Sequence, residues 1–387
     1  MMSFSFFLRL ITLPFVWIWT AILYVTVGTR FREQEAFQKS FSLNLFAMSY
    51  THLSSGTTLK DFKYIDGGKS LFGILEKNEN KFNPSKSLPS YGEVFTRKDT
   101  EKIIPDSAWL AKHPQEMGKE DSVIVYLHGG MLCHSISPVQ ISAFSNMYTL
   151  LKKKGSKPPS MLFIDYSLLP NGNTYPTPIL ECLNVYDKLV SLGYKKILLV
   201  GDSSGGYLSL SMLYYLNERS KTNKVVWPHG VALVSPWLDL NNAEKTKSYK
   251  NNANKDVLTF EVSQKYGKEF FQRNENLYSL PLANINLNTS DDIWAELPPL
   301  RKGNFLVVVG KDEILRDSIL EWCLEKSSLS KNYPERIMIE NKGIHDGLFV
   351  TETFMLLRKY ITFEEWSQKF GVNALYNFIK EMDDNLS

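Results

Sequence analysis

The chain has 387 residues, 44 of them basic and 41 acidic, for a formal net charge of +3. This near-balance, without any basic block, gives no electrostatic footprint for nucleic acid and excludes it as a partner. A hydrophobic content of 43% supports a large buried core, so the length reads as a single α/β enzyme with insertions. Three cysteines, Cys133, Cys182 and Cys323, cannot all pair and lack metal-ligand spacing, so neither a disulfide framework nor a metal site is expected.

The first element in chain order is apolar. Leu10 to Thr29 contains no charged residue, and about 20 such residues suffice to cross a bilayer core. The run is longer than the apolar core of a typical signal peptide, and no small-x-small cleavage pattern precedes Arg30. Residues 1–30 are therefore expected to be a retained signal anchor. Arg9 on one side faces Arg30, Arg32 and Lys39 on the other, so the positive-inside count is nearly balanced, with a slight lean toward a cytosolic catalytic domain. A sequon at Asn288-Thr289-Ser290 makes Asn288 a candidate for glycosylation.

Residues 31–110 are mixed and aromatic-rich, and are expected to form an N-terminal cap or lid. Short apolar runs then appear at 122–130, 161–169, 196–204, 231–240, 304–312 and 336–341. Their length, β-branched content and Gly or Pro boundaries read as buried parallel strands. Helical periodicity fills the intervals at 177–192 and 208–219. Strand and helix thus alternate, which predicts an α/β-hydrolase-like fold with a mostly parallel sheet flanked by helices. The core is expected over 111–240 and 298–387. The polar, Asn-rich stretch 241–297 is expected to be a cap insertion over the carboxyl ends of the strands, where open α/β sheets bind ligands.

Gly201-Asp202-Ser203-Ser204-Gly205-Gly206 matches G-x-S-x-G between an apolar strand and a helix. A serine at such a sharp turn is exposed as a nucleophile, while the flanking glycines permit close chain approach. Three fixed positions match by chance only roughly 0.1 times in a chain this long, and the strand–helix context reduces coincidence further. Ser203 is therefore the expected nucleophile. The base should follow it in the chain, and of six histidines only His229 and His345 do so. His345, in a Gly-bounded loop after the last strand, is the one that also follows a strand-terminal acid. For that acid, Asp312 and Glu313 stand side by side after the 304–312 strand: Asp312 is the first choice and Glu313 the alternative, with Asp317 assigned to the next helix. Backbone amides of Gly129 and Gly130, in the turn His128-Gly129-Gly130-Met131, together with that of Ser204, are the candidate oxyanion hole. His128 is read as bracing this turn.

Taken together, HGG, DYSLLP (165–170), YPTPILE (175–181), GDSSGG, SPWLDL (235–240) and LRD (315–317) resemble the hormone-sensitive-lipase branch of α/β-hydrolases. With the anchor, the chain is most similar to the fungal steryl acetyl hydrolases. That resemblance implies cofactor-free hydrolysis of a lipophilic acetyl ester such as a sterol acetate, at the endoplasmic reticulum membrane, with the catalytic domain in the lumen. It also places Met131 where the family commonly has a third glycine, and an ungapped match of LRD puts Glu313 at the family's acid position. The competing readings are an arylacetamide-deacetylase-like or lipase-like esterase, and a non-catalytic small-molecule receptor on the same fold.

Overall fold

The computed structural model describes residues 2–65, 107–112, 122–156, 158–241, 246–289 and 291–384. Much of the expected N-terminal cap, residues 66–106, lies outside the described residues.

Among the described residues, seven strands form one sheet in the order β1-β3-β2-β4-β5-β6-β7: β1 Ser107–Ala111, β2 Val123–Leu127, β3 Ser160–Ile164, β4 Ile197–Asp202, β5 Gly230–Val234, β6 Phe305–Gly310 and β7 Ile337–Glu340. All pairings are parallel except β1 with β3. The six predicted runs correspond to β2–β7. Edge strand β1 was not predicted, and it straddles the expected boundary at residue 110. Its five-residue sequence Ser-Ala-Trp-Leu-Ala is too short and too poor in β-branched residues to declare itself.

Alternation along the strands divides the core into two layers. On β2, Val123, Val125 and Leu127 pack with residues of α4 (Thr177–Ser191) and α5 (Ser204–Ser220), including Leu183 and Leu208. Ile124 and Tyr126 face the other way, onto Phe144 of α3 (Pro138–Lys153) and Leu375 and Ile379 of α6 (Phe370–Asp384). Each fully buried aliphatic side chain contributes about 2 kcal/mol, so both faces favour one strand register. Start signals are local: Ser137 and Gln140 form a reciprocal capping box at the head of α3, with Pro138 in its first turn.

The N-terminal apolar run is a 22-residue helix, α1 (Phe4–Val25), the one helix among the described residues long and apolar enough to cross a membrane. One face lies along α2 (Phe41–Ser54), with the Trp17 indole donating to Ser49 Oγ at 2.9 Å and Thr12 Oγ1 3.0 Å from His52 Nε2. Descending partner numbers make the pair antiparallel. The opposite face exposes Phe15, Ile18, Ile22 and Val25. All three cysteines are buried, and none is in a disulfide among the described residues.

Candidate active site

The strand order changes direction around β2: β3 lies on one side and β4 on the other. The crevice at the carboxyl ends of β2 and β4 is therefore the switch point where such sheets place ligands. The His128-Gly129-Gly130 turn leaves β2 there, and Ser203 leaves β4.

Ser203 stands between the end of β4 and the start of α5 with φ 50° and ψ −116°. A non-glycine residue held there costs on the order of 1–3 kcal/mol and persists only where its surroundings fix it. They do: its N–H donates to the Val234 carbonyl at 2.9 Å, and its carbonyl accepts from Trp237 N–H at 2.9 Å. The motif's glycines answer close approach. A Cβ on Gly205 would lie 1.9 Å from Leu127 O, and one on Gly201 would lie 2.3 Å from Gly205 O.

His345 lies in the loop after β7, and its Nε2 is 2.9 Å from Ser203 Oγ. The alternative histidine, His229, immediately precedes β5 and so lies at the amino end of the sheet, opposite the elbow. Glu313, fully buried, places Oε2 3.7 Å from His345 Nδ1. Neither Glu313 Oε1 nor His345 Nδ1 has a hydrogen-bond partner among the described residues. The pair is thus aligned but not closed, and contacts of this kind tighten in the substrate complex. Asp312, the first choice from sequence, does not face the ring. Its carboxylate pairs with the half-exposed Lys255 at 3.3 Å. The acid position is corrected to Glu313, because the chain turns at the end of β6 and sends these successive side chains in different directions. Asp317, as expected, sits in the following helical turn, where its carboxylate accepts the Ser248 N–H at 2.7 Å.

Two further groups near the ring were not singled out as site residues from sequence, although Ser235 opens the SPWLDL run. Ser235 Oγ donates to Glu313 Oε2 at 2.6 Å and accepts the Asp346 N–H at 3.1 Å, joining the acid to the base loop. Asp346 itself brings Oδ2 to 3.4 Å from His345 Nε2. Burial disfavours a charged imidazole, but Asp346, Glu313 and Asp256 outweigh it and lift His345 to about 10. Burial likewise raises the Asp346 carboxyl well above the usual range, so ring and carboxyl compete for one proton.

The oxyanion turn is held from below. Gly129 N–H donates to Asp202 Oδ1 at 2.9 Å, and the same carboxylate accepts from the Tyr126 hydroxyl and Gln140 Nε2. Burial pushes Asp202 up to about 6, against the pull of these donors. Gly129 is thereby corrected from oxyanion donor to anchoring point, since its one N–H already serves Asp202. The amides of Gly130, Met131 and Ser204 remain as the candidate donors. His128 stacks on Tyr166 at 4.4 Å, with its Nδ1 2.8 Å from the Gly129 carbonyl, and the Tyr166 hydroxyl donates to His128 O at 2.6 Å. Asn288, the glycosylation candidate, is tied into the fold. Its Nδ2 donates to the carbonyls of Tyr278 and Leu280 at 2.7 and 2.8 Å, and Thr289 is buried against Trp294.

A strained, base-paired serine beside three backbone amides has the chemistry of acyl transfer to an oxygen nucleophile and on to water. The comparisons agree. Carboxyl esterase 2 of Tuber melanosporum superposes with a TM-score of 0.52 at 22% identity, covering 70% of this chain and 80% of that one. An esterase of the bacterial hormone-sensitive lipase family gives 0.54 at 19%, covering 90% and 99%. These likenesses establish the α/β-hydrolase fold. In sequence, the chain is 44% identical over 381 residues to the Schizosaccharomyces pombe protein named "Putative steryl acetyl hydrolase mug81", covering 98% of this chain and 99% of that one. It is 27% identical over 239 residues to steryl acetyl hydrolase 1 of Saccharomyces cerevisiae, covering 59% and 54%. The steryl acetyl hydrolase family profile matches residues 4–378, so this chain, a carboxylic ester hydrolase, belongs to the steryl acetyl hydrolase family.

Proposed function

We propose that the chain removes acetyl groups from sterol acetates through an acyl-enzyme on Ser203. The observation that carries this reading is the 2.9 Å approach of His345 Nε2 to Ser203 Oγ at a strained elbow. Ser203 Oγ attacks the ester carbonyl while the ring takes its proton. Glu313 balances the imidazolium, and the amides of Gly130, Met131 and Ser204 receive the oxyanion. His345 then protonates the departing sterol hydroxyl. In the second half, the neutral ring activates water, and acetate leaves with Ser203 regenerated.

The Met131 side chain, buried at this turn, limits room for the acyl group and favours acetyl over long chains. The apolar face of α1 supports attachment to a bilayer, from which a lipophilic ester would be drawn. We place the protein at the endoplasmic reticulum membrane as a single-pass anchor with the catalytic domain in the lumen, a reading that rests on the family resemblance.

The direct test is sterol acetate hydrolysis by membranes carrying wild type or Ser203→Ala. Loss of hydrolysis in the variant is expected; equal rates would overturn the reading. Protease protection of the catalytic domain in sealed microsomes tests its side of the membrane, with digestion of intact microsomes as the contrary result.

A further inference from the structure

Asp256 belongs to the stretch 241–297, not to any motif, yet it is fully buried and touches both loops that carry the base and the acid. Its Oδ1 accepts the His345 N–H at 3.0 Å and the Val257 N–H at 2.7 Å. Its Oδ2 accepts the N–H of Ile314, the residue after Glu313, at 2.8 Å. One carboxylate therefore pins the base loop after β7 to the acid loop after β6. Neighbouring residues hold the acid loop only: Asn252 Nδ2 donates to Glu313 O at 2.9 Å, and Ser248 Oγ donates to Ile314 O at 2.7 Å.

The clasp is held in turn from the N-terminal side. Arg30 Nη2 donates to the Asp256 carbonyl at 3.1 Å and to Thr51 Oγ1 of α2 at 2.8 Å. Gln34 Nε2 donates to the Lys255 carbonyl at 3.2 Å. Arg30 and Gln34 lie in the connection between α1 and α2, which is the first chain outside the apolar helix. These bonds span more than 200 positions of sequence.

We propose that Asp256 is a positioning residue that sets the separation of Glu313 and His345, and that Arg30 and Gln34 hold it in place, so that the segment next to the membrane helix is part of the active-site scaffold. This rests on the Ser203–His345 reading above. Three charge-assisted bonds from a buried carboxylate to main-chain N–H groups fix loops more rigidly than neutral contacts do. The Glu313–His345 gap is still open at 3.7 Å, so it is sensitive to where these loops stand. A misplacement of about 1 Å at such a site costs about 100-fold in rate.

The test is steady-state hydrolysis of p-nitrophenyl acetate by the full-length detergent-solubilised protein, with thermal melting and fluorophosphonate labelling alongside. Asp256→Ala is expected to lower kcat by about 30- to 100-fold with KM within about threefold. Asp256→Asn keeps one acceptor oxygen for His345 and Val257 but turns an amide toward Ile314, and is expected to recover part of kcat. Arg30→Ala and Gln34→Ala, outside the clasp itself, are expected to lower kcat by about three- to tenfold with KM unchanged. If Asp256→Ala does not fold, Asp256→Asn and Arg30→Ala carry the test. Wild-type kcat in folded Asp256→Asn and Arg30→Ala, or a loss confined to KM, overturns the proposal. Ser203→Ala serves as the separate control: if it hydrolyses and labels like wild type, the underlying reading has failed, whatever the Asp256 variants do.

Discussion

Ser235 Oγ lies 2.6 Å from Glu313 Oε2 and receives the Asp346 N–H at 3.1 Å, so one hydroxyl ties the carboxylate facing the imidazole to the residue that follows that imidazole. The hydroxyl's single proton is directed to Glu313, which orients that carboxylate. Ser235→Ala is expected to lower kcat by about tenfold, the effect of losing one charge-assisted hydrogen bond of about 1.5 kcal/mol. Steady-state kinetics on a short acetyl ester would measure it.

The choice between the adjacent acids is decided by a pair of isosteric variants. Glu313→Gln is expected to drop kcat by about 10³- to 10⁴-fold, because the ring loses the charge that stabilises its protonated form. Asp312→Asn removes only an ion pair with the half-exposed Lys255 and is expected to stay within about threefold of wild type. The reverse ranking would return Asp312 to the acid position.

The pH dependence follows from the carboxylates around His345. The base works only when neutral, and its affinity for protons is raised, so kcat/KM should fall as pH decreases through a limb lying above 6.5, the ordinary value for histidine. Asp346 is the foremost of the groups that raise it. Asp346→Asn should therefore move that limb to lower pH. A limb that stays put or moves upward in a kcat/KM profile would exclude this account.

The elbow leaves no space for a methyl group. With a Cβ 1.9 Å from Leu127 O, Gly205→Ala must displace the head of α5 or the end of β2. It is expected to destabilise the protein by about 3–5 kcal/mol, beyond an ordinary surface change. Thermal melting and soluble yield would show it, and a melting temperature within two or three degrees of wild type would contradict the close approach.

On α1, Phe15 is 70% and Ile18 60% exposed, and both lie on the face turned away from α2. The double change Phe15→Lys and Ile18→Lys adds two charges to that face, each costing about 2.5–3.5 kcal/mol at the centre of a membrane helix. Carbonate extraction should then release the protein from membranes. Unchanged membrane retention would mean that this face does not meet lipid.

Much of the fold was legible because parallel strands buried on both faces read as near-continuous apolar runs, as β2–β6 do, and the half-exposed β7 keeps three apolar residues in a row. Ser203 was legible because the elbow demands glycine at fixed neighbours, and His345 because chain order left one suitable histidine. β1 was not, since an edge strand of five residues needs no distinctive pattern. The acid could not be read from Asp312-Glu313, because adjacent residues at a strand end differ in direction only once the turn is built. Gly129 was misassigned for a related reason: a glycine turn advertises donors, but which N–H is engaged depends on Asp202 across the crevice.

The sequence by itself placed Ser203 at a strand-to-helix elbow and His345 in the loop after the last strand, and it determined the parallel sheet and the apolar N-terminal helix, since each follows from local stereochemistry or from the order of residues along the chain. Only the tertiary structure decided that Glu313 faces the ring, that Asn288 is tied into the fold, and that Asp256, Ser235 and Asp346 surround His345. The hydrogen bonds of Asp256 to the base and acid loops and of Ser235 to Glu313 and Asp346 join residues 58 to 111 positions apart, and a bond formed at that separation leaves no periodicity or spacing in the chain.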